Sequence, residues 1–366
     1  MSTPTILLAG GGSGGHISPG LAIAEAIEAC DASYGSHFAC SQRPIDADML
    51  NAAGRPFTVL PATPPSVRPR AAMTFLREFS RSTAKATAVM REHDVRGVVL
   101  LGGFVAAPVA RAARRLGIPT TLLNLDCVPG RANRWMRSRA TMVLSAVRTV
   151  RPLADIVTGL PIRQQAKPPG DAAKCRTLLG LDPSRSTLVI TGASQGATSI
   201  NQLATQLAAN HADVLRGWQV LHLSGTRDAD HMTITWRDSG VPSLVVPFHH
   251  EMGTIWGAAD LVISRAGACS VAEIQYAGIP AIYLPYPHHR DMHQQFNAQA
   301  SVDAQAAVVV HDHIDPMATM PSLLQAITPL LTHEDQLSLM QQAAQGRAGG
   351  DAARTVVRIV LEHLKQ

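Results

Sequence analysis

The run Gly10-Gly11-Gly12-Ser13-Gly14-Gly15-His16 lies between the apolar stretch Ile6–Ala9 and an amphipathic pattern from Pro19 to Ala29. Glycines let a backbone approach a ligand closely, and the NH groups at the start of a following helix can meet phosphate or sugar oxygens. Histidine is the side chain whose ordinary titration falls near neutral pH, so His16 after such a loop can serve as a general base, or simply as a structural residue. A second loop, Thr191-Gly192-Ala193-Ser194-Gln195-Gly196-Ala197, follows Leu188–Ile190 and precedes the helical pattern Ile200, Leu203, Leu207. A third turn, Arg265-Ala266-Gly267-Ala268-Cys269-Ser270, joins Leu261–Ser264 to a helix beginning Val271-Ala272-Glu273-Ile274. Its NH groups would face a diphosphate, and Glu273, one helical turn in, could accept bonds from both hydroxyls of a ribose. The simpler alternative is that Glu273 only complements the helix dipole.

Other chemistries stay open on these residues. Gly10, Gly12 and Gly15 satisfy the dinucleotide fingerprint G-x-G-x-x-G, which for NAD wants an acidic residue at the end of the second strand. The run Phe38-Ala39-Cys40-Ser41-Gln42-Arg43 has none, but Arg43 would suit NADP, so an NADP-dependent oxidoreductase is an alternative, as is a tight turn without a ligand. Asp46-Ala47-Asp48 and Asp228-Ala229-Asp230 resemble D-x-D metal pairs, a triplet common by chance. The spacing of His249-His250 and His288-His289 fits no standard zinc site, and no obligatory ion or other cofactor is expected.

These loops need two scaffolds. A chain of 366 residues is long enough for two ordinary cores. With 46% apolar and 16% charged residues it can fill them. Aromatic residues at 4% argue against recognition of single-stranded nucleic acid by stacking, and no nucleic-acid partner is expected. A net charge of +5 suits an anionic ligand or an anionic membrane surface. The five cysteines are odd in number and lack a C-x-x-C pair, which points to a reducing compartment without a disulfide framework. With no long uninterrupted apolar run, a soluble cytoplasmic protein is expected.

Continuous apolar runs at 5–8, 97–101, 120–123, 141–144, 187–191, 219–223, 244–247, 261–264, 281–284 and 307–310 read as strands buried on both faces, separated by helical patterns. The fold class is therefore α/β with parallel sheets. The stretch from Arg151 to Pro183, with Pro152, Pro161, Pro168 and Pro169, is expected to hold the hinge. The last segment places Val356, Ile359, Val360 and Leu364 at helical spacing.

Taken together, G-G-x-G-G-H-x-x-P at the start, the central G-x-S-Q-G-A, R-x-G-A-x-x-x-x-E followed by Gly278-Ile279-Pro280, and Asp291-Met292-His293-Gln294-Gln295-Phe296-Asn297-Ala298 resemble the peptidoglycan N-acetylglucosaminyltransferases of glycosyltransferase family 28. The resemblance covers almost the whole chain in order. It implies a GT-B fold, two Rossmann-like domains facing across a cleft: 1–160 on the acceptor and membrane side, with the helix of 350–366 packing back on it, and 161–349 for the UDP-sugar. It further implies inverting transfer of N-acetylglucosamine from UDP-N-acetylglucosamine to undecaprenyl-diphospho-N-acetylmuramoyl-pentapeptide, as a peripheral enzyme on the cytoplasmic face of the cell membrane.

Carried over by motif, Ser13, Gly14 and Gly15 would line the sugar site, Arg163 would meet the diphosphate, and Ser194 would bind phosphate. The backbone of His249 would face uracil, Ala268, Cys269, Ser270, Val271, Ala272 and Glu273 would hold phosphate and ribose, and Gln294 with Asn297 would read the donor sugar, His293 being adjacent. Departures concentrate in the first half. Gly102-Gly103-Phe104-Val105-Ala106-Ala107-Pro108 stands where the family commonly has G-G-Y-x-S-G-P, and Leu123-Asn124-Leu125-Asp126 where it has H-E-Q-N. A transferase for another lipid acceptor such as a diacylglycerol, or a UDP-sugar-binding protein without turnover, thus remains an alternative. His16 is the expected base, with Asp126 expected to approach and orient it or acidify the site. The segment Arg68–Arg81 mixes Met73, Phe75, Leu76 and Phe79 with Arg68, Arg70, Arg77 and Arg81, and Lys85 follows; it reads as a basic amphipathic helix for an anionic interface, or as a core helix with a basic edge.

Overall fold

The computed structural model describes residues 3–12, 14–64, 68–150, 152–192, 197–288 and 292–365. The chain divides into two compact units, Met1–Arg163 with Asp351–Gln366, and Gln164–Gly350.

In the first unit the chain runs β1 (Thr5–Ala9), α1 (Gly14–Cys30), β2 (Gly35–Cys40), α2 (Pro44–Ala52), β3 (Phe57–Val59), α3 (Pro69–Glu92), β4 (Val95–Leu100), α4 (Gly103–Leu116), β5 (Thr120–Asn124), α5 (Arg131–Arg137), β6 (Met142–Ser145) and β7 (Ile156–Val157). The strands pair in parallel in the order β3-β2-β1-β4-β5-β6-β7. Central strands β1 and β5 are buried along their whole length, as helices on both faces require, while the edges β3 and β7 are short and partly exposed. Strand order reverses between β1 and β4, the switch point at which open α/β sheets bind ligands beyond the carboxyl ends of their strands. The glycine loop after β1 and Gly102-Gly103 after β4 are therefore neighbours.

Helix α1 begins at Gly14, five residues before the start expected at Pro19. Proline is favoured in a first helical turn, but here Pro19 sits further in and donates nothing to the Gly15 carbonyl. Strands β3 and β7 were not expected, and β7 lies inside the stretch read as a hinge.

The second unit runs α6 (Ala172–Leu178), β8 (Ser186–Thr191), α7 (Thr198–Asn210), β9 (Trp218–Leu223), α8 (Ala229–Ser239), β10 (Ser243–Val246), α9 (Met252–Ala258), β11 (Leu261–Ser264), α10 (Ala268–Ala277), β12 (Ala281–Tyr283), α11 (His293–Asp303), β13 (Ala307–Val309), α12 (Pro316–Thr332) and α13 (Glu334–Gln345). Its parallel order β10-β9-β8-β11-β12-β13 repeats the arrangement of the first six strands of the other sheet, with the switch between β8 and β11. Helix α6, also inside the proline-bearing stretch, is clamped to this unit. Arg176 donates to the carbonyls of Ala258 and Pro183, each at 3.1 Å, and pairs with Asp260, which also accepts the Thr187 amide at 2.6 Å.

The chain then returns to the first unit as α14 (Ala352–Leu364). Val356, Val357 and Val360 are buried, worth roughly 1.5–3 kcal/mol each if fully exposed on unfolding. Leu364 lies so close to Gly97 that a Cβ there would come within 2.8 Å of its Cδ2. His363 Nε2 and Thr141 Oγ1 share a hydrogen bond of 2.9 Å.

Candidate active site

In the first unit the glycine loop is held by residues that follow β2. The Gly12 amide donates to Asp46 Oδ2 at 2.8 Å, and the same oxygen accepts the Ser41 amide at 3.1 Å and the Ser41 hydroxyl at 2.5 Å. The Arg43 guanidinium donates to the Gly12 carbonyl. Asp46 is wholly buried, and a Cβ on Gly11, whose φ is +156°, would run into its Oδ2. Both residues are engaged within the fold: Asp46 spends Oδ2 on the Gly12 amide and on Ser41, and Arg43 holds the Gly12 carbonyl rather than standing out for a 2′-phosphate. With its amide taken by Asp46, Gly12 has no N–H to offer a dinucleotide pyrophosphate, which counts against the NADP reading.

Gly14, Gly15 and His16 form the first turn of α1, and His16 is half-buried. Its imidazole borders Gly102, held at φ +106°, where a Cβ would lie 3.2 Å from His16 Nε2 and 3.0 Å from Asn133 Oδ1. Asn133 Nδ2 donates to Asn124 Oδ1 at 2.9 Å, and Asn124 Nδ2 donates to the Asp126 carbonyl at 2.7 Å and to Ser145 Oγ at 3.1 Å. Asp126 is therefore tied to this network through its main chain. Asn133, buried on α5, escaped the sequence reading because nothing local marks it. The Phe104 ring covers Gly12, 3.5 Å from where a Cβ would be. Arg163, expected at a diphosphate, pairs through Nε with Glu25 Oε1 of α1 at 3.1 Å. Ser13 and Ser194 lie outside the described residues.

In the second unit α10 starts just beyond β11. The amides of Ala268, Cys269 and Ser270 have no acceptor within the helix. Val271 differs from its neighbours: its amide donates to the Gly267 carbonyl at 2.9 Å and its side chain lies in the core, so neither is directed to a ligand. Ala272 and Glu273 are half-buried. Glu273 Oε2 accepts the indole N–H of buried Trp256 at 3.0 Å.

Asn297 Nδ2 donates to the Ala266 carbonyl at 3.1 Å, which leaves its buried Oδ1 without a partner, and Gln294 Oε1 accepts the Tyr286 amide at 2.9 Å. Asn297 thus braces the loop after β11 and Gln294 the loop after β12. His249 follows β10 by three residues and is half-buried. Burial holds its imidazole below the ordinary range, with Glu251 opposing and His250 adding to the shift.

Beneath these loops lies a buried network. Arg265 pairs with Asp312 at 2.8 Å and donates to Ser199 Oγ at 2.6 Å and to the Leu284 carbonyl at 2.7 Å, while Ser199 donates to Asp312 at 2.8 Å. Arg265 thereby joins the segments after β8, β11, β12 and β13, its charge answered by a carboxylate rather than held out for phosphate. Asp312 and Ser199 were not singled out in the sequence. Among the described residues no group of three or more His, Cys, Asp or Glu side chains could hold a metal ion.

Residues 6–145 match the glycosyltransferase family 28 N-terminal domain and residues 187–356 the glycosyltransferase family 28 C-terminal domain. A relative from Nocardioides sp. (strain ATCC BAA-499 / JS614), named UDP-N-acetylglucosamine--N-acetylmuramyl-(pentapeptide) pyrophosphoryl-undecaprenol N-acetylglucosamine transferase, is 35% identical over 362 residues, covering 98% of this chain and 97% of that protein. A relative of the same name from Frankia casuarinae is 32% identical over 363 residues, covering 97% and 95%. Among solved structures, MurG of Acinetobacter baumannii is similar with a TM-score of 0.76 at 23% identity, covering 98% of this chain and 99% of that one, which shows the GT-B fold. By both of its domains, and by relatives matched along nearly their entire length, the chain belongs to glycosyltransferase family 28.

Proposed function

We propose that this chain is an inverting hexosyltransferase that moves N-acetylglucosamine from UDP-N-acetylglucosamine to undecaprenyl-diphospho-N-acetylmuramoyl-pentapeptide, giving the disaccharide lipid of peptidoglycan synthesis. The observation that carries this reading is near-full-length likeness to relatives that all bear the name of this activity.

The second unit takes the donor. The first turn of α10 offers its NH groups to the diphosphate, Glu273, aimed by Trp256, accepts the ribose hydroxyls, and Gln294 and Asn297 meet the sugar. The main chain of His249 serves the uracil, and Ser194 the phosphate. The first unit takes the acceptor at the Gly14-Gly15 turn. There His16 removes the proton from the attacking hydroxyl as its oxygen bonds the anomeric carbon, and the bond from that carbon to UDP breaks with the electron pair leaving on phosphate. Arg163, held by Glu25 at 3.1 Å, is the residue assigned to the departing diphosphate.

Helix α3 supports a place on the inner leaflet. Met73 and Leu76 are 71% and 65% exposed among the exposed Arg70, Arg77 and Arg81. Beside them Phe79 packs edge-on against Trp135, whose ring lies 4.0 Å beneath the Arg139 guanidinium. Apolar side chains rimmed by arginine suit an anionic interface. No helix among the described residues is long and apolar enough to cross a membrane.

Incubation of labelled UDP-N-acetylglucosamine with the muramoyl lipid tests the reading. Labelled disaccharide lipid is expected, with none when a diacylglycerol replaces the acceptor. Label on the diacylglycerol alone would change the acceptor, and UDP binding without transfer to either would refute turnover.

A further inference from the structure

We propose that Asp46 is a positioning residue for the transfer reaction: its buried carboxylate fixes the Gly10–Gly12 loop and, through it, the first turn of α1 that carries His16. The inference rests on reading that turn as the acceptor-side site.

The loop has little of its own to hold it. Gly11 and Gly12 stand at φ +156° and +91°, in a glycine-rich run that many backbone conformations would satisfy. What selects one conformation comes from outside the loop. Asp46, the third residue of α2, does not cap its own helix; its Oδ2 instead gathers the Gly12 amide, the Ser41 amide and the Ser41 hydroxyl. Arg43 holds the Gly12 carbonyl. Both polar groups of Gly12 are thus gripped by the segment 41–46, and the hold on the amide is charge-assisted. Gly11 has room only for a hydrogen where Asp46 passes. Two residues after Gly12 α1 begins, and its third residue is His16. Loss of the grip lets that turn drift, and misplacement of a reacting group by about 1 Å costs on the order of a hundredfold in rate.

The second carboxylate oxygen, Oδ1, is buried without a partner. Asp46→Asn can therefore keep an oxygen toward all three donors, whereas Asp46→Ala removes it. The full-length chain and its Asp46→Ala, Asp46→Asn and Arg43→Ala variants are compared for kcat at saturating substrates, for UDP affinity by calorimetry, for folded fraction, and for the His16 imidazole resonances by NMR. Arg43 is exposed, so its variant frees the Gly12 carbonyl without disturbing a core and leaves the hold of Asp46 on the amide in place.

We expect Asp46→Ala to lower kcat per folded molecule about tenfold or more, with UDP affinity within about twofold of native, and to move the His16 resonances. Asp46→Asn recovers kcat to within about threefold, and Arg43→Ala lowers it about threefold with the same unchanged UDP affinity. The proposal is overturned if Asp46→Ala keeps native kcat and His16 resonances, or loses rate only in step with folded protein. Should Asp46→Ala not fold, Asp46→Ser, whose oxygen is too short to reach the Gly12 amide, takes its place, and native kcat and His16 resonances there overturn the proposal equally. A native chain that binds UDP yet transfers nothing refutes the functional reading instead, and the His16 resonances still report on the hold of Asp46.

Discussion

Trp256, its indole sealed inside the second unit, donates its N–H to Oε2 of Glu273 at 3.0 Å. The carboxylate on the second turn of α10 is thus pinned from below by an aromatic ring that cannot turn away. A hydrogen bond to a charged group is worth about 1.5–3 kcal/mol, so Glu273→Ala should weaken UDP-N-acetylglucosamine binding roughly tenfold to a hundredfold. Trp256→Phe keeps most of the apolar volume but drops the N–H, and should weaken it about threefold to tenfold. Calorimetric titration of both variants measures this, and native affinity in both would remove Glu273 from the donor site.

His16→Ala should lower turnover about a hundredfold or more while leaving UDP affinity unchanged, as loss of a general base requires. Near-full turnover in this variant would reject His16 as the base. If the Asp126 carboxylate pairs with His16, Asp126→Asn should show an altered pH–rate profile. An unchanged profile would reject that pairing and leave Asn133, which shares the space over Gly102 with the imidazole, as the group that orients it.

Native protein should co-sediment with vesicles containing anionic phospholipid at low salt. Reversing Arg70 and Arg77 to glutamate should weaken that binding about tenfold or more, since each basic residue near such a surface contributes about 1 kcal/mol. Raising the ionic strength should release the native protein too. Absence of native co-sedimentation, or indifference to the reversal, would contradict a membrane role for α3.

Acid should destabilise both units through buried histidines. His222 accepts the Trp236 indole N–H on Nδ1 at 3.0 Å and shares a 3.1 Å hydrogen bond between Nε2 and Asn201 Oδ1, so the ring is neutral with its proton on Nε2. Burial lowers its pKa from 6.5 to about 4. Burial and the neighbouring His93 lower His37 likewise to about 4. Between pH 6.5 and 4 the unfolded chain binds these protons and the folded chain does not. Stability is therefore full above pH 6.5 and falls as pH drops toward 4, by roughly a few kcal/mol. Urea midpoints should decline over that window, and His222→Gln should flatten the decline of the second unit. A midpoint constant from pH 7 to 4.5 would contradict the assignment.

What could be read along the chain is what repeats locally. Strands β1, β8 and β11 announced themselves as continuous apolar runs because helices cover both their faces. The edge pair Ile156–Val157 offers only two residues and is exposed, so no run marks it. Glycine's poor helix propensity hid the true start of α1, and Pro19 suggested a later one. The candidate site residues divide in the same way. Gly14, Gly15, Ala268 and Glu273 were visible because a strand, a small-residue turn and a helix follow one another in sequence. The partners that hold them were not, for each is a distant residue brought up by the fold. Gly12 meets Asp46 from 34 residues away, and Arg163 meets Glu25 from 138. The sequence around Asp46 offers only a common triplet, and the sequence around Asn133 offers no signal.

The proposed donor site places a uridine diphospho-sugar on the second unit, at the start of α10. Its most direct test is calorimetric titration of UDP into the native chain and into Glu273→Ala under conditions where both are folded. The native chain should bind saturably and one-to-one, and the variant with an affinity at least about tenfold lower. No heat from the folded native chain, or equal affinities for the two proteins, would contradict it.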